Sequence, residues 1–371
     1  MLLMADCVQP YEPEIDKYEN ALVVDGIFSN LPGPYEVSLS RTFPYDADTC
    51  ERVTGASVRI IDDLGNEIPL TEVSRGIYRS DSSGPNGQIG RSYKLSILTS
   101  DGNQYESDFQ LLKSPIPIDS LYYKYEPISK SDVKGVQVYL DTHDPENNTH
   151  YYGWEFEETW EFHVPFITSA YPNSQICYRS FNPKRILVGS SIDNNSDEIL
   201  QHPLFYIDDQ SNRLKYKYTA MVRQYTLSET VYHYYKNLAG MNESTGSLFD
   251  PAPYTLSGNV KNINNEDEPV LGIFQVSAIS SKRIFIKKSE LPNEVFPPSG
   301  YEYCEMVRLY VQDSINSPIV EYQVDSIIDF VGMVVMDTTM EGPYLVIRFA
   351  SSKACFDCTL SGSNEPPDFW E

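Results

Sequence analysis

Short runs of alternating apolar and polar residues, each closed within a few positions by Gly, Pro, Asn or Asp, recur along this sequence and restrict it to folds built from many short β-strands. Leu22 to Phe28, Tyr35 to Arg41 and Ala56 to Asp62 all have period two. Asp62-Asp63-Leu64-Gly65-Asn66-Glu67 reads as a hairpin connection, because Gly65 and Asn66 tolerate the positive φ that tight hairpins require. Ile77 to Arg79, Ser92 to Leu98 and Tyr105 to Leu111 continue the series, the last two joined through Asp101-Gly102-Asn103. Roughly seven such segments in about ninety residues predict an immunoglobulin-like or transthyretin-like β-sandwich over residues 21–113, preceded by a tether over 1–20.

A chain of 371 residues exceeds what one ordinary core fills, so a second domain is expected. The Pro-punctuated stretch Ser114-Pro115-Ile116-Pro117-Ile118 suits a semi-rigid joint. Beyond it, over 118–371, the alternating segments lengthen and become aromatic: Leu121 to Tyr125, Val136 to Asp141, and Tyr151 to Phe156 running into Thr159 to Val164. Leu214 to Tyr225 alternates throughout and predicts one long strand. One helix is expected near 228–240, with Ser228 as N-cap, Glu229 in the first turn, Val231, Tyr234, Tyr235 and Leu238 on one face, and Gly240 at its end. Further strands follow at Gly272 to Ala278, Lys282 to Ile286 and Gly342 to Phe349. The expected class is therefore all-β, a sandwich followed by a larger β-rich domain with one inserted α-helix.

Charge narrows the function. Against 53 acidic residues there are 28 basic ones, a formal charge of -25. Such a surface repels phosphate backbones and anionic lipid, which argues against nucleic-acid binding and electrostatic membrane docking. No run of apolar residues is long enough to span a bilayer as a helix. Membrane attachment would have to come from the N-terminus. There, Met1-Leu2-Leu3-Met4-Ala5-Asp6-Cys7 leads into the acidic, proline-bearing stretch Val8 to Asp16, which resembles the end of a bacterial lipoprotein signal peptide with Cys7 as the lipidated residue. The short leader and Asp6, where a small residue is usual, depart from that pattern; an unmodified Cys7 is the alternative.

Five cysteines remain, Cys50, Cys177, Cys304, Cys355 and Cys358, an odd number that leaves at least one thiol unpaired. Cys355 and Cys358 have C-x-x-C spacing, but they follow a strand in the C-terminal tail, not a βαβ turn, and no second C-x-x-C completes a zinc site. Structural bridges from Cys355 and Cys358 back to Cys177 and Cys304 are expected to fasten the tail to the second domain, with connectivity open and Cys50 the odd thiol.

Recognisable catalytic patterns are missing from the sequence: there is no G-x-S-x-G, no Walker loop and no G-x-G-x-x-G. His143 and Asp144 with His150 lack a metal-site spacing, so no metal or other cofactor is expected. Glu157-Glu158 is a carboxylate pair of the kind glycoside hydrolysis uses, uninformative without geometry. Tyr151, Tyr152, Trp154 and Trp160 are the candidate ligand-binding residues, as a stacking surface for sugar or peptide. Alternating aromatics on neighbouring strands more often form sandwich core, and that reading is the stronger one.

Taken in order, these features resemble the DUF4249 family of Bacteroidetes surface lipoproteins. The resemblance is carried by Cys7 with Pro10-Tyr11-Glu12-Pro13-Glu14, by Leu22-Val23-Val24-Asp25-Gly26 and by Leu39-Ser40-Arg41-Thr42-Phe43-Pro44-Tyr45. It continues through Pro117-Ile118-Asp119-Ser120-Leu121-Tyr122-Tyr123, Val222-Arg223-Gln224-Tyr225-Thr226-Leu227-Ser228-Glu229 and Leu248-Phe249-Asp250-Pro251, and ends on Cys355-Phe356-Asp357-Cys358-Thr359-Leu360 and Pro367-Asp368-Phe369-Trp370. The resemblance implies a lipid-anchored protein on the outer face of the outer membrane, accessory to a TonB-dependent transporter and assisting nutrient capture. A structural or adhesive surface module is the competing expectation, and a hydrolase with an unrecognised carboxylate site a third.

Overall fold

The alternating segments form strands throughout the computed structural model, which describes residues 20–42, 50–128, 133–169, 171–194, 196–243, 258–312 and 318–370. Cys7 and the tether lie outside the described residues. In chain order the first strands are β1 (Leu22–Ser29), β2 (Glu36–Arg41), β3 (Ser57–Asp62), β4 (Glu67–Ser74), β5 (Ile77–Arg79), β6 (Ser92–Leu98), β7 (Gln104–Ser107) and β8 (Gln110–Leu111). Next come β9 (Ile118–Pro127), β10 (Lys134–His143), β11 (Tyr151–His163), β12 (Ile176–Phe181), β13 (Leu187–Ser190), β14 (Glu198–Asp208) and β15 (Lys217–Thr226). Helix α1 (Glu229–Glu243), β16 (Val260–Asn262), β17 (Val270–Ser277), β18 (Ile279–Lys287), β19 (Met306–Val311), α2 (Pro318–Val331), β20 (Val334–Glu341) and β21 (Tyr344–Ala350) complete the chain. The fold is all-β in class, with two helices among the described residues. No helix there is long and apolar enough to cross a membrane.

Contacts divide the chain into two units, one made of 1–115 with 225–279 and the other of 116–224 with 280–371. Residues 225–279, which sequence reading gives to the second domain together with the helix, thus belong to the first. The reason is strand pairing: β17 lies parallel to β1, from Leu22 opposite Val270 to Ser29 opposite Ser277. Gly272 makes this possible, since its φ is +89° and a Cβ there would sit 1.9 Å from the Val24 carbonyl oxygen.

Within this first unit the order β17-β1-β2-β5-β4 runs on through β4 into β4-β3-β6-β7-β16, with β8 against β6. The first half of β4 pairs with β3 and its second half with β5, so one strand serves two sheets and the layers can face each other as a sandwich. Leu22, Val24, Phe28, Ile60, Leu95 and Phe274 are fully or almost fully buried between them. The Asp62 hairpin forms as expected, with Gly65 at φ +84°. Ser228 caps α1 by accepting from the Val231 N–H at 3.3 Å. The helix runs on past Gly240 to Glu243, because that glycine is not in the left-handed conformation that would end it.

The second unit packs the three-stranded sheet β14-β10-β9 and the sheet β12-β11-β15-β18, with β13 beside β11, around one core. Val136, Val138, Leu140, Ile207, Val222 and Ile286 fill it. Gln224 cross-links the interior: its oxygen accepts from the Trp154 indole at 2.8 Å, and its nitrogen donates to the Ile116 carbonyl at 2.9 Å and to Thr142 Oγ1 at 3.0 Å. The predicted strand at Leu214 begins only at Lys217, since Asn212 to Leu214 form a short helical turn capped by Ser211. A smaller sheet, β19-β21-β20, is covered by α2 through Val320, Val324 and Ile327 against Ile347 and Phe349.

His202 lies in this unit with its ring 4.4 Å from that of Trp154, and burial lowers its pKa from the ordinary 6.5. The unfolded chain therefore takes up a proton at this side chain below about pH 6.5 that the folded chain resists, so stability present above that pH falls as pH drops. His143 has the opposite sign, because the Asp119 carboxylate 2.7 Å away raises its pKa and favours the fold at lower pH. Urea midpoints measured between about pH 7.5 and 5.5 should decline more steeply for the natural protein than for a His202→Gln variant. Parallel declines would remove His202 as the cause.

Candidate functional site

The expected stacking surface does not form on β11 as a whole. Alternation sends Tyr152 and Trp154 into the core, both 0% exposed, with the two rings stacked at 6.1 Å. Tyr152 is held there by donating to the Thr149 carbonyl at 2.9 Å. Tyr151, half-buried, points to the other face of the strand. Trp160 lines a cavity near the end of β11. It is 8% exposed and sits opposite Arg179 on β12, whose guanidinium lies over the indole at 5.9 Å.

The cavity measures about 170 Å³ and is lined by Trp160, Phe162, Arg179, Asn212, Gly300, Tyr301, Tyr303 and Ser361. Five segments meet there. The turn at 299–304 presents the two tyrosines: Ser299 Oγ accepts from the Tyr301 N–H at 3.0 Å, and the Tyr301 carbonyl accepts from the Cys304 N–H at 3.0 Å. Gly300, at φ +82°, lets this turn lie against Asn212, whose side-chain nitrogen would be 2.6 Å from any Cβ added there. Burial raises the Tyr301 phenol pKa, as does Tyr303, while the Ser361 hydrogen bond and the Arg179 charge oppose the rise.

Disulfides pin two walls. The bonds are Cys177–Cys358 and Cys304–Cys355, so all four expected cysteines are used, and Cys50 is free. Cys177 pairs with Phe162 across the β11–β12 ladder two positions before Arg179, and Cys358 carries the tail that brings Ser361 to the cavity. The tail then adds one bridge to β12, Tyr178 and Ser363 exchanging backbone hydrogen bonds at 2.8 and 3.0 Å. Its last aromatics are held by cations, with Arg283 3.5 Å from the Phe369 ring and Lys217 5.0 Å from the Trp370 ring. The other bond joins Cys304, the residue after Tyr303, to Cys355.

The Asn212 wall is tied to β11 by a buried ion pair. Glu158, 2% exposed, accepts two bonds from Arg213 Nη1 at 2.8 and 2.7 Å and a third from the Tyr218 hydroxyl at 2.8 Å. Glu157 faces the other way, 3.4 Å from Arg223. The two adjacent carboxylates therefore lie on opposite faces of one strand and do not converge on a single bond. Asp144 is likewise engaged, accepting from the N–H groups of Glu146, Asn148 and Thr149 at 2.9–3.0 Å, while His143 faces Asp119 and His150 faces Asp197.

Sequence reasoning names the four bridging cysteines and, of the residues lining this cavity, singles out Trp160 but not Arg179, Asn212, Tyr301, Tyr303 or Ser361. The pairing of Trp160 with Arg179 carries no local signal, since β12 has only weak alternation. A family model described as a domain of unknown function, DUF4249, matches residues 8–283, well over half of the chain. The match includes Trp160, Phe162, Arg179 and Asn212; Tyr301, Tyr303 and Ser361 lie beyond it. No curated protein matches the chain.

Proposed function

The chain belongs to the DUF4249 family, and we propose that it is a non-catalytic binding protein of the Bacteroidetes outer-membrane surface, anchored by a lipid on Cys7 and accessory to a TonB-dependent transporter in nutrient capture. The observation that carries this reading is the cavity beside Trp160. Its walls offer aromatic faces, one guanidinium, one amide and hydroxyl groups, which hold a ligand by stacking and hydrogen bonding. Its lining contains no carboxylate, imidazole or thiol to serve as nucleophile or general base. In this proposal the ligand is held and released unchanged, as handing it to a transporter requires. The net charge of -25 suits a protein kept soluble on a crowded surface.

Affinity purification of the tagged full chain from mildly solubilised outer membranes is the test. A TonB-dependent transporter should co-purify with it, and a Cys7→Ser variant should leave the membrane fraction. Recovery of the natural protein alone would overturn the partnership, and an unchanged membrane fraction for the variant would overturn the anchor.

A further inference from the structure

We infer that the cavity beside Trp160 takes a single sugar acid, with its carboxylate on Arg179, its ring against Tyr301 and Tyr303, and its hydroxyls on Asn212 and Ser361. This rests on reading the cavity as a ligand site and is independent of the transporter partnership.

Arg179 is the first reason. Arg59, Arg79, Arg91, Arg213, Arg223 and Arg348 each face a carboxylate within 4.0 Å. Arg179 instead faces an indole, and no ion pair to it is found among the described residues. In a chain with nearly twice as many acidic as basic groups, a guanidinium left open to a cavity with no acidic lining offers a forked donor set that matches a carboxylate.

The remaining walls discriminate among anions. A bare inorganic anion uses neither Tyr301 nor Tyr303, whose rings lie 6.2 Å apart, whereas the C–H face of a pyranose packs on such rings. An aromatic acid would use the rings but would leave the Asn212 amide without a ligand partner, which costs affinity once it is desolvated. A cavity of about 170 Å³ falls below the ~300–1,000 Å³ of sites for drug-sized molecules, which restricts the occupant to one ring. Both disulfides hold the walls before the ligand arrives, so little ordering cost falls on binding.

Titration of the purified full chain with galacturonate and glucuronate, followed by calorimetry and tryptophan fluorescence, tests the assignment. At least one of the two acids should bind and perturb the Trp160 emission. Galactose and inorganic phosphate should each bind about tenfold or more weakly. Arg179→Gln should lose about tenfold or more in affinity for the acid and Arg179→Lys less, since an ammonium keeps the charge without the fork. Arg179 is exposed enough to vary without disturbing the core, as is Tyr303 at 56% exposure, where Tyr303→Ala should also weaken binding. No heat with either acid, equal binding of galactose or phosphate, or an Arg179→Gln variant that binds as the natural protein does would each overturn the proposal. Co-purification with a transporter alongside any of these results would leave the proposed function standing and remove only the ligand.

Discussion

Replacing Cys177 and Cys358 together by alanine is expected to lower the unfolding free energy of the second unit by about 3–5 kcal/mol. The bond joins residues 181 positions apart, so its loss frees a very long loop in the unfolded chain. It also releases the tail from its anchorage in the folded state: the Tyr178–Ser363 bridge, the Phe369 and Trp370 contacts and the Ser361 wall all depend on it. All three tryptophans, Trp154, Trp160 and Trp370, belong to this unit, so urea unfolding followed by their fluorescence reports on it selectively. The first unit, without a disulfide among its described residues, should unfold at an unchanged midpoint when followed by hydrogen exchange. A fall of less than about 1 kcal/mol would mean that the tail is held by its cation–π and backbone contacts alone.

Arg213→Ala should cost a comparable amount, about 3–5 kcal/mol, because it leaves the Glu158 carboxylate buried with only the Tyr218 hydroxyl as partner. Glu158→Gln should cost less. Its amide oxygen can still accept from Tyr218 or Arg213, and the Arg213 guanidinium, about a quarter exposed, keeps access to water. The ordering of the two variants is the informative result, measured by urea unfolding under the same fluorescence readout. If Glu158→Gln proved the more damaging, the pair would be stabilising by mutual attraction and not by avoiding a stranded charge. The same Arg213 variant should loosen the Asn212 wall, since Arg213 is the adjacent residue and its Nε also holds Ser211 at 2.9 Å.

Helix α2 shows how a local signal can be present and still be overridden in reading. Val320, Val324, Ile327 and Val331 have helical spacing, and Pro318 suits a first helical position. Their β-branched side chains nevertheless favour a strand on intrinsic preference, and the run sits between two real strands. Burial against Ile347 and Phe349 decides for the helix. β4 was missed for a different reason: Pro69 interrupts its alternation, which is tolerated because the strand changes partners next to that residue.

By itself the sequence determined the all-β class, the sandwich near the start, the helix capped by Ser228 and the set of cysteines that pair. Each of these follows from short-range physics: strand periodicity is two residues, a cap acts over three, and an odd cysteine count limits the pairings. Only the tertiary structure decided that β17 returns to lie beside β1, that Cys177 joins Cys358 and not Cys355, and that Trp160 meets Arg179, Tyr303 and Ser361 at one cavity. These contacts link residues far apart in the chain, and backbone hydrogen bonding between strands is chemically alike at every position. The choice among partners is made by packing of whole faces, which no local segment encodes.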